Sequence, residues 1–306
     1  MGAMHTIRTI LVPTDFSKHA QHALMYAASL GERFGTDIHL LHVVTLQGYG
    51  GQTDLAAFPD LEPYLERADK VARERLDAGV LHGGTAEAKV FKALTRAVSA
   101  PEAIVEYAER KKADLVVIAT RGNTGLAHVL LGSVTERVIR YAPCPVLVVG
   151  GGDRDYVDPD TGVVRIRRVV VADDFSDSAA AALRYAVEHL RPYKPEVCLA
   201  HALVTDVPPA YAFAGVDSIF QLRPDLKDRL IEMLRKRAAD VVPDGWTISC
   251  EVREGKPHEV VPRYARDIEA DLLVVGRETK IELAERVFGG ASERIVRHAP
   301  CPALVA

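Results

Sequence analysis

The sequence is poor in the features that mark specialised protein classes. Its apolar runs, such as Val146–Val149 and Val169–Ala172, are short, far from the ~20 apolar residues a membrane helix needs. Met1–Arg8 lacks the apolar centre of a secretion signal. The expectation is a cytoplasmic protein with no membrane partner. The four cysteines, Cys144, Cys198, Cys250 and Cys301, form no Cys-x-x-Cys pair and lie in or beside apolar segments. That pattern suits reduced packing thiols and not a disulfide or zinc framework. Neither sign of charge dominates: a formal charge of −4 and a pI near 6.3 supply no field for gripping nucleic acid. The Walker A, Gly-x-Ser-x-Gly and His-Glu-x-x-His patterns are missing, which removes the central residues of P-loop ATPases, α/β-hydrolases and zincins. The place after the first strand holds Pro13-Thr14-Asp15-Phe16-Ser17, not the Ser-Gly-Gly-type loop of an ATP pyrophosphatase. His19 and His22 share a helical face but have no carboxylate or cysteine beside them, so no metal is assigned.

What is present is a repeat. Ile10–Ser17 reads ILVPTDFS and Val169–Ser176 reads VVVADDFS, at an offset of 159. At an offset of 157, ADLVVI (Ala113–Ile118) recurs as ADLLVV (Ala270–Val275), and ERVIRYAPCPVLV (Glu136–Val148) as ERIVRHAPCPALV (Glu293–Val305). A chain of 306 residues is about twice one ordinary domain, so the reading is domain 1 at residues 1–149, a Gly- and Asp-rich linker at 150–164, and domain 2 at 165–306. The acidic linker lacks EF-hand spacing and reads as a solvated turn.

Within each copy, β-branched runs alternate with segments of helical period, the signature of a parallel sheet covered on both faces. Strands are expected at Thr9–Thr14, Ile38–Val43, Val90–Thr95, Leu115–Ala119 and Val146–Val149, and in the second copy near Trp246–Val252 and Leu272–Gly276. Ala20, Ala23, Leu24, Ala27, Gly31 and Phe34 form one apolar stripe stopped by Gly35. Leu61, Leu65, Ala68, Ala72 and Leu76 form another, and the longest helix of the second copy is expected around Asp225–Val242. The fold class is α/β: two tandem Rossmann-like domains, each an open five-stranded parallel sheet of order 3-2-1-4-5. In such sheets ligands sit beyond the carboxyl ends of the strands where the order reverses, here between the first and fourth strands, at Thr14–Asp15 and Ala119–Arg121.

After the fourth strand comes Ala119-Thr120-Arg121-Gly122, then nine residues, then Gly132-Ser133, followed by Val134-Thr135-Glu136-Arg137 and Ala142-Pro143-Cys144-Pro145. This arrangement resembles the ATP-binding universal stress proteins, which carry Gly-x-x-Gly, nine residues, Gly-Ser or Gly-Thr, Val-x-Glu-Arg and Ala-Pro-Cys-Pro at these places. The resemblance covers nearly the whole chain, twice. Copy one departs from the pattern at Ala119, where the family has its first glycine, and the methyl narrows the room for backbone approach.

The resemblance implies ATP with magnesium in domain 1, contacted by Pro13, Thr14, Asp15, Val43, Ala119, Arg121, Gly122, Gly125, Gly132, Ser133 and Val134. Physically, glycines let backbone N–H groups approach phosphate, and a helix N-terminus offers unpaired donors at the positive end of a dipole. Ser133 adds a hydroxyl, and Arg121 and His128 stand nearby in sequence. Each residue also has a plainer reading. Ser133-x-x-Glu136 is a capping box, Asp15 is an N-cap, Arg121 is a solvated loop charge, and Val43 is a buried strand residue. Copy two keeps Asp174 but reads Gly276-Arg277-Glu278-Thr279, nine residues, then Gly289-Gly290. There Gly122 has become Thr279, Ser133 has become Gly290, and Glu278 stands for Arg121, a set unsuited to a triphosphate. The expected function is an ATP-binding stress sensor or adaptor with an unknown protein partner, not an enzyme of ordinary turnover. The alternative is a stress scaffold that binds no nucleotide. By the same resemblance the last strand of each copy, Val146–Val149 and Ala303–Val305, is expected to pair within the chain as a pseudo-dimer, with a homodimer as a further level of assembly.

Overall fold

The computed structural model describes residues 7–45, 66–67, 69–75, 77, 89–120, 131–150, 164–205, 218–277 and 290–306. They fall into two compact units, residues 7–150 with Val164, and residues 165–306. The first unit runs β1 (Thr9–Pro13), α1 (Lys18–Phe34), β2 (Asp37–Thr45), a helical stretch over 66–67, 69–75 and 77, then β3 (Val90–Ala97), α2 (Ala100–Lys111), β4 (Leu115–Ala119), α3 (Ser133–Tyr141) and β5 (Val146–Val149). The second runs β6 (Arg168–Ala172), α4 (Asp177–His189), β7 (Glu196–Leu203), α5 (Ile219–Leu222), α6 (Pro224–Ala239), β8 (Ile248–Glu254), α7 (Pro257–Asp267), β9 (Leu272–Val275), α8 (Ala291–Arg297) and β10 (Ala303–Val305).

In the first unit the strand order is β3-β2-β1-β4-β5, and in the second β8-β7-β6-β9-β10, all parallel. Both are the order 3-2-1-4-5 expected from sequence. Central strands are buried on both faces, as parallel strands between helices must be: every residue of β4 (LVVIA) and the last four of β1 are buried, whereas edge strand β3 is largely exposed or half-exposed. Ile10, Leu11, Ile38, Leu41, Val116 and Ile139 are the fully buried centre of the first unit, and each contributes about 1.5–3 kcal/mol by leaving water.

The apolar stripe of α1 faces that core, and Gly35 ends the helix in the left-handed region at φ 65°, which a residue without Cβ adopts at no steric cost. Gly31 is needed for approach: a Cβ there would lie 2.9 Å from the Ile38 side chain. The repeated Ala-Asp-Leu motif is also architectural. Asp114 Oδ2 accepts the N–H groups of Arg8 and Thr9 at 2.8 and 3.0 Å, and Asp271 Oδ2 those of Arg167 and Arg168 at 2.6 and 2.9 Å. In each unit one carboxylate thus fixes where the first strand enters the sheet beside the fourth. Some boundaries differ from the sequence reading. β1 stops at Pro13 because Thr14 already belongs to a turn, β2 runs on to Thr45, and β8 lies two residues later than expected.

Candidate functional site

In the first unit β1 lies between β2 and β4, so the reversal of strand order falls at the β1–β4 boundary. The Thr14 N–H donates to the Leu41 carbonyl at 2.8 Å. By alternation along the strand, the nitrogen of Pro13 then faces β4, and proline has no hydrogen there to give. Pairing of β1 with β4 stops at Leu11↔Val116. In the second unit Ala172 stands at the equivalent place, and pairing continues one step further, to Val171↔Val274. Pro13 therefore opens the crevice early.

The chain leaves β1 through a turn built from its own side chains. Thr14 Oγ1 accepts the Phe16 N–H and Asp15 Oδ1 the Ser17 N–H, both at 3.0 Å. Ser17 Oγ then caps α1 by accepting the Ala20 N–H at 3.1 Å. The helix cap is therefore Ser17 and not Asp15, whose carboxylate shapes the loop two residues earlier. Phe16 is held at φ 64°, a conformation that costs a non-glycine residue about 1–2 kcal/mol. Its ring packs 4.4 Å from that of His42, and the Arg75 guanidinium carbon lies 5.8 Å from the same ring. His42 Nδ1 lies 2.7 Å from the Thr14 carbonyl; an acceptor there places the proton on Nδ1. Burial pushes the His42 pKa below its ordinary value. Its bond to Thr14 and the Asp15 charge pull the other way, and Arg75 adds to the lowering. Val43 follows on β2. It is half-buried, not a plain core residue, and alternation from Leu41 turns its N–H and C=O towards the β1 side, beyond the end of β1.

At the end of β4, Ala119 is buried and its carbonyl accepts the Thr135 hydroxyl at 2.7 Å. The Thr120 N–H donates to the Val149 carbonyl at 2.9 Å, and the Thr120 carbonyl accepts from the Gly132 N–H at 2.7 Å. Thr120 Oγ1 is buried without a hydrogen-bond partner, and Gly150 packs against it so closely that a Cβ would lie 2.3 Å away. The N-cap of α3 is Gly132, with φ −77° and ψ 151°, and no side chain caps the helix. The capping-box reading of Ser133 is thereby corrected: Ser133 is the first helical residue, one place too late to cap. Glu136 instead pairs with Arg140 at 3.5 Å. The first-turn N–H groups of α3, including those of Ser133 and Val134, have no carbonyl within the helix to bond, and Val134 is exposed. Pro13, Thr14, Asp15, Val43, Ala119, Gly132, Ser133 and Val134 thus lie at the carboxyl end of one sheet or at the helix start beside it. Arg121, Gly122 and Gly125, with His128, lie outside the described residues.

The second unit repeats the turn and then departs. Asp173 Oδ1 accepts the Phe175 N–H at 2.7 Å and Asp174 Oδ1 the Ser176 N–H at 3.0 Å; His201 Nδ1 lies 2.7 Å from the Asp173 carbonyl, and Phe175 is held at φ 65°. The other carboxylate oxygen of Asp173 meets Arg237 Nε at 2.9 Å, with the Asp173 side chain fully buried. The N–H is not aimed at that oxygen, so the contact is an ion pair and not a hydrogen bond; Arg237 donates instead to the Ser176 carbonyl. Burial raises the Asp173 pKa, and the Phe175 N–H and Arg237 oppose the rise. Where the first unit has Ala119, Gly276 packs on the start of α4, and a Cβ would lie 2.6–2.9 Å from the backbone of Ser178 and Ala179. Ala119 carries the methyl for which Gly276 has no room, so the fourth strand ends closer to the first helix in the second unit than in the first. Gly290 caps α8 at φ 83°, a conformation that disfavours serine. Glu278 and Thr279 lie outside the described residues.

His42 and Phe16 were not among the residues expected from sequence. The signal was available: at the offset of 159, His42 maps to His201 and Phe16 to Phe175. Among the described residues no helix is long and apolar enough to cross a membrane, and no three His, Cys, Asp or Glu side chains form a metal-holding group.

Comparison with known proteins accords with the doubled plan. A universal stress protein of Methanocaldococcus jannaschii is 35% identical over 142 residues, covering 46% of this chain and 81% of that protein. A universal stress protein E homolog of Haemophilus influenzae is 24% identical over 314 residues, covering 96% of this chain and 95% of the relative. The crystal structure of a universal stress protein from Archaeoglobus fulgidus matches in fold with a TM-score of 0.62 at 22% identity, covering 98% of this chain and 96% of that one. The model of the universal stress protein family matches residues 6–150 and again residues 165–306, and the chain belongs to that family, with two copies of its domain.

Proposed function

We propose that the first unit binds an adenine nucleotide, ATP with magnesium, and that the chain acts as a nucleotide-dependent sensor or adaptor. The observation that carries this reading is the start of α3, which has no side-chain cap and keeps the Ser133 hydroxyl unspent on capping. It lies next to a β4 end where Thr120 holds an unpartnered hydroxyl. A helix N-terminus in this condition suits phosphate oxygens, through its free N–H groups and its dipole. On the other wall, the Val43 backbone and the Asp15 carboxylate suit the edge of adenine and the ribose hydroxyls, with Pro13 and Thr14 shaping the floor. The loop glycines Gly122 and Gly125, with Arg121, complete the phosphate cradle by family resemblance. Magnesium would be held by phosphate and water, which is how this ion is commonly carried.

Ser133→Ala is expected to weaken ATP binding about tenfold or more, since a hydrogen bond to a charged group contributes roughly 1.5–3 kcal/mol. Calorimetric titration of the full chain checks this, and unchanged affinity would take Ser133 out of the site. Turnover is expected to stay well below about 1 per second. Proton abstraction needs a base in reach of the attacking water, and the one carboxylate on α3, Glu136, is paired with Arg140 at 3.5 Å. Single-turnover assays with radiolabelled ATP measure it. The competing reading, a scaffold that binds no nucleotide, draws on the second unit, where Asp173 holds Arg237 at 2.9 Å and Gly276 packs against the start of α4. Acid treatment of protein purified without added nucleotide separates the two: released adenine nucleotide supports the sensor, and its absence together with a flat ATP titration supports the scaffold.

A further inference from the structure

In both units a helix preceding the third strand sends an arginine over the turn that follows the first strand. In the second unit it is Arg237 of α6, and in the first it is Arg75 of the helical stretch before β3, an offset of 162 that departs from the repeat by less than one helical turn. The two arginines meet different surroundings. Arg237 sits against the fully buried carboxylate of Asp173 at 2.9 Å and donates to the Ser176 carbonyl. Arg75 lies over the Phe16 ring at 5.8 Å, and where Asp173 would stand the first unit has Thr14, whose hydroxyl is engaged by the Phe16 N–H. Arg75 is exposed and makes no ion pair with any described residue. A guanidinium keeps its charge at any physiological pH, and its fork matches phosphate oxygens.

We propose that Arg75 is a further ligand-binding residue of the first unit, drawn to the negative charge of a bound nucleotide, and that Asp173 is an internal anion occupying its counterpart Arg237 in the second. Occupation of the second unit is then built into the chain. A single residue, threonine or aspartate at the end of the first strand, decides whether the arginine faces an external anion or an internal one. The proposal rests on the nucleotide reading of the first unit and specifies how that site recognises charge.

The test uses the full chain and three probes, ATP, ADP and adenosine, titrated calorimetrically. Arg75→Ala is expected to weaken ATP and ADP about tenfold or more while leaving adenosine unchanged, because only the phosphorylated ligands carry the charge. Arg75→Lys should recover part of the loss. Thr14→Asp, which copies the second unit into the first, should weaken ATP at least as much, with circular dichroism and thermal melting showing that the protein remains folded. Equal affinity of wild type and Arg75→Ala for ADP would overturn the proposal. So would an equal loss for adenosine and ADP, which would mean that Arg75 acts only by packing on Phe16. A wild type that binds none of the three probes would instead sink the nucleotide reading beneath it.

Discussion

Titration of the full chain with ATP is expected to saturate at one site per chain, in the first unit. In the second, the loss of the serine hydroxyl at Gly290 forfeits about 1.5–3 kcal/mol. A serine placed back there would meet φ 83°, at a cost of about 1–2 kcal/mol. The Asp173 carboxylate holds Arg237 in an ion pair and so withholds that guanidinium from a ligand, and β6 pairs with β9 one step further than β1 pairs with β4. A combined deficit near 4 kcal/mol would move a micromolar site to about millimolar. Gly122→Thr, which puts the second copy's threonine where glycine lets the backbone approach phosphate, should abolish binding, whereas Thr279→Gly restores no serine at Gly290 and should leave the stoichiometry at one. Two equal sites, or a chain that responds to Thr279→Gly and not to Gly122→Thr, would overturn the asymmetry.

How much of this was legible in the sequence depends on the range of the interaction. The repeat, the parallel order and the crevice followed from local periodicity and from motifs that recur, because strand and helix periods are short-range properties. The clamp role of Asp114 and Asp271 was hidden inside a readable motif: Ala-Asp-Leu announces the fourth strand, but its partners Arg8 and Arg167 lie 106 and 104 residues away. Pro13 was visible as a residue, yet its effect on the β1–β4 ladder required knowing which neighbour its nitrogen faces. Ser133 was misphased by one position, since Ser-x-x-Glu spacing is satisfied equally by a cap at 133 and by a cap at Gly132 with the serine in the first turn. The backbone of Gly132 decides between them. Phe16 and His42 come together only when β2 lies beside β1, and no local pattern links them.

The largest effect on stability is expected from Arg237→Ala. Asp173 is fully buried, and removing one partner of a buried ion pair commonly costs about 3–5 kcal/mol because an uncompensated charge remains. The loss should be confined to the second unit and is readable there alone: Trp246, the single tryptophan of the chain, belongs to that unit. Melting followed by its fluorescence should fall by about 10 °C or more at neutral pH. The dependence on pH follows from Asp173, whose folded pKa burial raises above its unfolded value. The stabilisation linked to its protonation is fully present below the ordinary carboxylate value and is lost as pH rises through the raised folded value. Removal of Arg237 takes away an opposing pull and lifts the folded value further, so the variant's deficit should be largest near pH 8 and shrink towards pH 5. Combining Arg237→Met with Asp173→Thr removes both charges and should recover most of the lost stability, since an apolar replacement of a buried pair is often neutral. A deficit below about 1 kcal/mol, or one that grows on acidification, would show that the Asp173 carboxylate does not depend on Arg237 in the folded protein.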